Sequence, residues 1–247
     1  MLSLVPSWTE TLLAAGIMPV GRTRFCIHPA DMVADIPIVG GTKDWNWDRV
    51  KALRPDLILL DREENAAFMG QQKDIACHVT HVGSLADMAQ AFEELAGLLN
   101  SQELDVMAAR SRALLDRECG LWSPQQPLPA LIEWGRKPRQ PIRQIVYLIW
   151  RKPWMAVSAD SFIGDCLARL GVHITRFDEK YPVIDLAAFD PETTLLLCSS
   201  EPYPFLERKG RLAELPFAHA FVDGELLSWY GIRSLRFLEQ HLPVRSF

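Results

Sequence analysis

The chain has 247 residues, 49% of them hydrophobic and 23% charged, with a formal net charge of −5. That length can bury one large core or two modest ones, and the composition is that of an ordinary globular protein. The acid excess argues against a nucleic-acid partner, which favours a basic face. The apolar runs, such as 145–150 and 195–198, have strand length and fall short of the ~18 residues of a membrane-spanning helix.

Residues 2–5 read as a strand running into Pro6, with no basic segment and small-residue cleavage site of a secretory leader. The chain as written is therefore expected in the cytoplasm. A missing true N-terminus would make it periplasmic. Residues 7–15 read as a helix opened by a capping box, Ser7 with Glu10, and closed by Gly16. A second helix is expected over 46–53 and a buried strand over 57–60. A helix over 65–75 and a strand over 78–82 follow. Strands alternating with helices predict a parallel sheet.

Residues 84–99 carry apolar side chains at helical spacing, and 103–118 form a second helix of roughly 25 Å. Residues 120–143 contain five prolines, Pro124, Pro127, Pro129, Pro138 and Pro141, with Arg136, Lys137, Arg139 and Arg143 among them. They read as an extended polar connector whose basic run, if it touches anything, meets an acidic partner. Strands over 144–150, 195–198 and 220–222 and helices over 161–170 and 234–241 complete the chain.

The five cysteines, Cys26, Cys77, Cys119, Cys166 and Cys198, include no CxxC pair, so neither a disulfide framework nor a zinc knuckle is indicated. Cys77, Cys166 and Cys198 stand in apolar contexts and read as buried. No G-x-S-x-G elbow, phosphate loop or dinucleotide fingerprint occurs, so no catalytic residue is assigned. Gly40 to Lys43 reads as a turn. Cys26 and His28 are the one candidate metal pair, weighed against a packed or hydrogen-bonded pair. His78 and His81 read as structural.

Ligands of open parallel sheets bind beyond the carboxyl ends of the strands. Those ends carry Ser7 and Trp8, then Glu63 and Glu64, then Arg151 and Trp154, then Glu201 and Tyr203, then Trp229 and Tyr230. Eight tryptophans are many for this length. Trp8, Trp45, Trp150, Trp154, Trp229 and Tyr230 form candidate walls for a large flat ligand, with Ser7, Arg24, Glu64, Arg151, Glu201 and Tyr203 as further contacts.

The segments Ser3-Leu4-Val5-Pro6-Ser7-Trp8-Thr9-Glu10, Gly21-Arg22-Thr23, Gly40-Gly41-Thr42-Lys43 and Leu53-Arg54-Pro55-Asp56-Leu57-Ile58 resemble the N-terminal lobe of the periplasmic-binding proteins for cobalamin and ferric siderophores. Asp160-Ser161-Phe162-Ile163-Gly164 and Asp223-Gly224-Glu225 resemble the matching C-terminal lobe. The resemblance covers nearly the whole chain and points to a signal-less branch of the family. It implies an α/β fold of two Rossmann-like lobes with parallel sheets, joined by a long backbone helix. The lobes are expected at 1–100 and 144–247, with the backbone helix and connector at 101–143. It further implies a monomeric solute-binding protein that holds a corrinoid or iron chelate in the cleft between lobes, for delivery to the membrane subunit of an ABC importer. In importer-docking members one glutamate per lobe meets that subunit. The corresponding positions here are Ala67 and Ser228, with Glu63, Glu64 and Glu225 nearby. The alternatives are a cytoplasmic enzyme of the same architecture, such as one inserting metal into a tetrapyrrole, and a metal-handling protein working through Cys26 and His28.

Overall fold

The structure is a computed structural model and describes residues 1–243. The chain divides into two compact units. One comprises Met1–Val82, Ala86–Ala113 and Trp229–Arg236; the other holds Gly83–Leu85, Leu114–Ser228 and the described residues 237–243.

In the first unit the strands are β1 (Leu2–Ser3), β2 (Gly21–Thr23), β3 (Ile38–Gly40), β4 (Leu57–Asp61) and β5 (Ala76–Thr80). They form one sheet in the order β3-β2-β1-β4-β5, parallel throughout. The run Leu57-Ile58-Leu59-Leu60 is apolar on both faces, as a central parallel strand requires. Leu2, Leu4, Val50, Ile58, Leu60 and Met69 close the core on one side. Full burial of each such side chain contributes about 2 kcal/mol.

The helices of this unit are α1 (Pro6–Ala14), α2 (Ala30–Val33), α3 (Trp47–Leu53), α4 (Leu85–Leu99) and α5 (Gln102–Leu114). The capping box expected at α1 is not formed. The helix starts one residue earlier, with Val5 as N-cap, no side-chain cap, and Pro6 in its first turn. Pro6, the first helical residue, has no N–H to leave unpaired and brings its own helical φ. At α3 the start is side-chain capped, with Asn46 accepting from Arg49 N. Helix α5 ends at Leu114, short of the expected 118, and all but its last residue belongs to the first unit.

The second unit holds β6 (Leu131–Arg136), β7 (Gln144–Trp150), β8 (Met155–Val157), β9 (Thr194–Ser199) and β10 (Ala218–Val222). The order is β6-β10-β9-β7-β8. The three central strands run parallel, and both edge strands are antiparallel to them. The sheet is thus parallel at its centre, as expected, and mixed at its edges. Strand β6 falls inside the expected connector, so part of 120–143 is an edge of this sheet. Its helices are α6 (Phe162–Arg169), α7 (Gly224–Ser228) and the end of α8 (Ile232–His241). Ser161 caps α6 by accepting from Gly164 N at 3.1 Å. Gly171 follows it at φ +81, where a Cβ would lie 2.1 Å from Gly120 O; only glycine fits.

Residues 65–75, expected helical, form only a 3-10 turn at Ala67–Gln71. Beyond it the Gln72 side chain accepts from Asp74 N and Ile75 N, which replaces helical bonding with a local turn. No helix among the described residues is long and apolar enough to cross a membrane.

Candidate functional site

Because all five strands of the first sheet run the same way, the segments that follow them gather along one sheet edge. Asn65 holds three of these segments in register. Its amide nitrogen donates to Leu4 O and Thr42 O, each at 3.0 Å, and its carbonyl accepts from Asp61 N at 2.8 Å. Asp61 is buried and accepts from Thr80 Oγ1 at 2.8 Å and from the backbone N–H of Glu63 at 2.9 Å. Neither Asn65 nor Asp61 was singled out by sequence reasoning. An Asp and an Asn four residues apart at a strand end was the available signal.

Around that frame the predicted residues separate. Trp8 is fully buried: its Nε1 donates to Thr80 Oγ1 at 2.9 Å and its ring packs on Phe92 and Tyr230. Trp8 is therefore a core residue of the first unit, in contrast to the expected ligand wall. Tyr230 is also buried, and burial is the main cause that raises its hydroxyl well above the usual phenol range. Ser7 is buried in the first turn of α1, where its carbonyl accepts from Thr11 Oγ1.

Other residues do face outward. Arg24 is exposed, grips Asp44 through two contacts of 2.8 and 3.1 Å, and lies over the Phe25 ring. Trp45 packs against Trp47 at 4.8 Å and edge-on to Phe68, which is itself exposed. Glu64 is exposed and its N–H reaches Asp61 Oδ1 at 3.3 Å. Trp229 lies with its ring edge-on to His28 and carries the Arg233 guanidinium 5.2 Å from its centroid.

The surroundings of Cys26 and His28 argue against a metal pair. Cys26 is fully buried, with Thr9 Oγ1 at 3.1 Å and Thr23 Oγ1 at 3.2 Å from its sulfur, while the His28 ring packs on Trp229. Burial raises the thiol above its ordinary range, which disfavours the thiolate a metal needs. Among the described residues no three His, Cys, Asp or Glu side chains cluster as a metal site. His78 faces Glu94 at 3.5 Å and His81 faces Glu63 at 3.7 Å.

In the second unit the carboxyl ends of β7 and β9 bring five predicted residues together. Trp150, 39% exposed, stands edge-on to Tyr203 at 5.7 Å. Arg151 lies over Trp154, which is parallel to Phe205. Tyr203 is largely buried. Burial opposes its ionisation, but hydrogen bonding to Arg208, with the charges of Arg211 and Arg151, outweighs it and holds the hydroxyl below the usual phenol range. Glu201 accepts from Ser228 Oγ at 2.8 Å. Under these groups Ser199 Oγ meets Tyr147 Oη and Glu201 N, and Gly224 N donates to Ser200 Oγ. A Cβ at Gly224 would approach Ser199 Oγ to 2.3 Å, so glycine lets the ends of β9 and β10 close together.

Two α/β units with parallel-dominated sheets make a fold that this chain shares with solved periplasmic substrate-binding proteins. Several of these structures match over nearly the whole chain. The vitamin B12 binding protein BtuF of Vibrio cholerae is 18% identical, with 97% of this chain and 93% of that one covered at a TM-score of 0.68. A possible iron-binding periplasmic solute-binding protein of Staphylococcus epidermidis is 16% identical, with 97% and 95% covered at 0.69. The S. aureus protein IsdE, solved with heme, is 14% identical, with 97% and 96% covered at 0.68. At these identities the likeness is one of fold. No family profile and no curated protein sequence matches the chain.

Proposed function

We propose that the protein is a solute-binding protein for a bulky metal chelate of the corrinoid, haem or ferric-siderophore kind. The observation that carries this reading is the strand-end surface of the second unit, where Trp150, Trp154 and Tyr203 stand beside Arg151. Flat rings bury the face of a macrocycle or chelate, and a guanidinium fixes its acidic or carbonyl substituents. In the first unit Trp45, Arg24 and Glu64 offer the same combination. The described fold neighbours are a vitamin B12 binding protein, a protein solved with heme and a possible iron-binding protein, which supports the class without choosing among them. Those neighbours are binding proteins, and this favours binding over turnover. Passage of the ligand to an ABC importer belongs to the same reading, as does a periplasmic location; cell fractionation decides the compartment.

Tryptophan fluorescence titrated with cyanocobalamin, haemin and a ferric hydroxamate tests the proposal. Saturable quenching at micromolar concentration by one of the three is the expected result. The absence of quenching by all three sinks it.

A further inference from the structure

Residues 136–143 read Arg-Lys-Pro-Arg-Gln-Pro-Ile-Arg, four cations and no acid in a chain whose net charge is −5. The run links β6 to β7, and both of its ends are fixed. Arg136 donates from its two terminal nitrogens to Leu215 O at 2.5 Å and Ala213 O at 3.0 Å. At the other end Arg143 N donates to Thr193 O at 2.9 Å. Between these anchors Lys137 and Arg139 are exposed and make no ion pair among the described residues.

Two cavities are lined by residues of the run. One, of about 590 Å³, is lined by Arg136, Lys137 and Arg139 together with Pro191 and Pro216. The other, of about 570 Å³, is lined by Arg139 and Arg143 with Pro124, Pro138, Pro141 and His173. Arg139 and Gln140 line both, so the two adjoin as one groove. Its position in the sheet is defined. Ile145 is the second residue of β7, Pro191 precedes β9 and Pro216 precedes β10, so the groove lies at the amino ends of these parallel strands. Trp150 and Tyr203 lie at the carboxyl ends, across the length of the sheet. One acid, Glu192, lines the first cavity beside the cations, and Asp190 stands two residues before it. Asp190 is already bonded to Glu192 N and Thr193 Oγ1, which holds it below the usual carboxylate range.

We infer that this groove docks an extended acidic segment of a partner protein. Its cations are strung along a ridge rather than converged on one point, which suits carboxylates spaced along a chain. Its proline rings present flat apolar shelves with no N–H to satisfy, the surface an extended peptide packs on. The anchored ends hold the ridge in place before binding, which lowers the ordering cost.

Fluorescence anisotropy of a labelled peptide of alternating glutamate and alanine measures the interaction. Saturable binding is expected, with affinity falling as salt rises from roughly 0.05 to 0.2 M. Reversal of both free cations, Lys137→Glu with Arg139→Glu, is expected to weaken it by about ten-fold or more. The milder pair Lys137→Gln with Arg139→Gln should fall between, and Lys73→Glu, an exposed reversal in the other unit, should change nothing. Circular dichroism verifies that each variant is folded. The inference is overturned if the peptide does not bind, if the double reversal binds as the wild type does, or if a glutamine-for-glutamate peptide binds equally well. It is also overturned if inorganic polyphosphate or duplex DNA binds more tightly than the peptide, since the groove would then be a general anion patch.

Discussion

Arg233 and Glu10, 223 positions apart, meet as a two-pronged ion pair with both contacts at 2.9 Å. Their side chains are 19% and 14% exposed. The pair belongs to the first unit, which takes in Trp229–Arg236 from the far end of the chain. Two further bonds hold the same stretch: Ile232 N donates to Thr11 Oγ1, and Gly231 N to Met88 Sδ. Glu10→Ala leaves a largely buried guanidinium without its carboxylate and is expected to cost about 2–4 kcal/mol. Urea unfolding checks this. Glu10→Gln, which keeps one acceptor, should cost less, and an unchanged midpoint in both variants would refute the assignment.

That pair also explains one misreading of the sequence. Ser7 and Glu10 have capping-box spacing, yet Glu10 is committed to a partner that local sequence cannot reveal. The strands that were legible, β4, β7 and β9, are unbroken apolar runs, and α4 carries apolar residues at helical period. Strands β2, β3 and β8 have three residues each, too few to show any period. Strand β6 lies among prolines and owes its conformation to pairing with β10, which only the folded chain provides. The site was legible by residue type and not by orientation. Trp8 and Trp150 both stand at strand ends, but one fills a core and the other is exposed.

Those two tryptophans separate stability from binding. Trp8→Phe deletes the indole N–H that reaches Thr80 and leaves a small void, so a loss on the order of 1–3 kcal/mol is expected. Its effect on chelate-induced quenching should be small. Trp150→Phe should leave the unfolding midpoint nearly unchanged and remove a large part of the quenching. Quenching lost in Trp8→Phe and kept in Trp150→Phe, with both proteins folded, would reverse the assignment.

His219 sits buried in β10, with Nδ1 3.1 Å from Phe217 O and its ring edge-on to Phe221. Burial, aided by the nearby charge of Arg136, lowers its pKa below the ordinary 6.5. The unfolded chain therefore takes up a proton before the folded protein does as pH falls. Stability contributed by the neutral ring is present above pH 6.5 and is lost as pH drops below it toward the folded value. Urea midpoints should fall between pH 7.5 and pH 5.5, by about one proton's worth of slope at most. His219→Gln should flatten part of that fall. An identical pH dependence in the variant would show that other groups carry it.

Thiol reactivity distinguishes packed cysteines from ligands. Cys26, Cys166 and Cys198 are buried, and burial raises each thiol above its ordinary range. Cys77 and Cys119 are half-buried, and Gln72 Nε2 donates to the Cys77 sulfur at 2.9 Å. Only the thiolate attacks a disulfide reagent, and it must be reached. An aromatic disulfide reagent at pH 8 should therefore titrate no more than Cys77 and Cys119 quickly in the folded protein, and all five thiols in urea. Cys26→Ala should not alter this fast count or the metal content of the purified protein. It should lower stability by about 1 kcal/mol, because Thr9 and Thr23 lose a packed sulfur. Fast labelling of Cys26, identified by mass after digestion, or a metal lost with Cys26→Ala, would restore the cysteine as a working ligand.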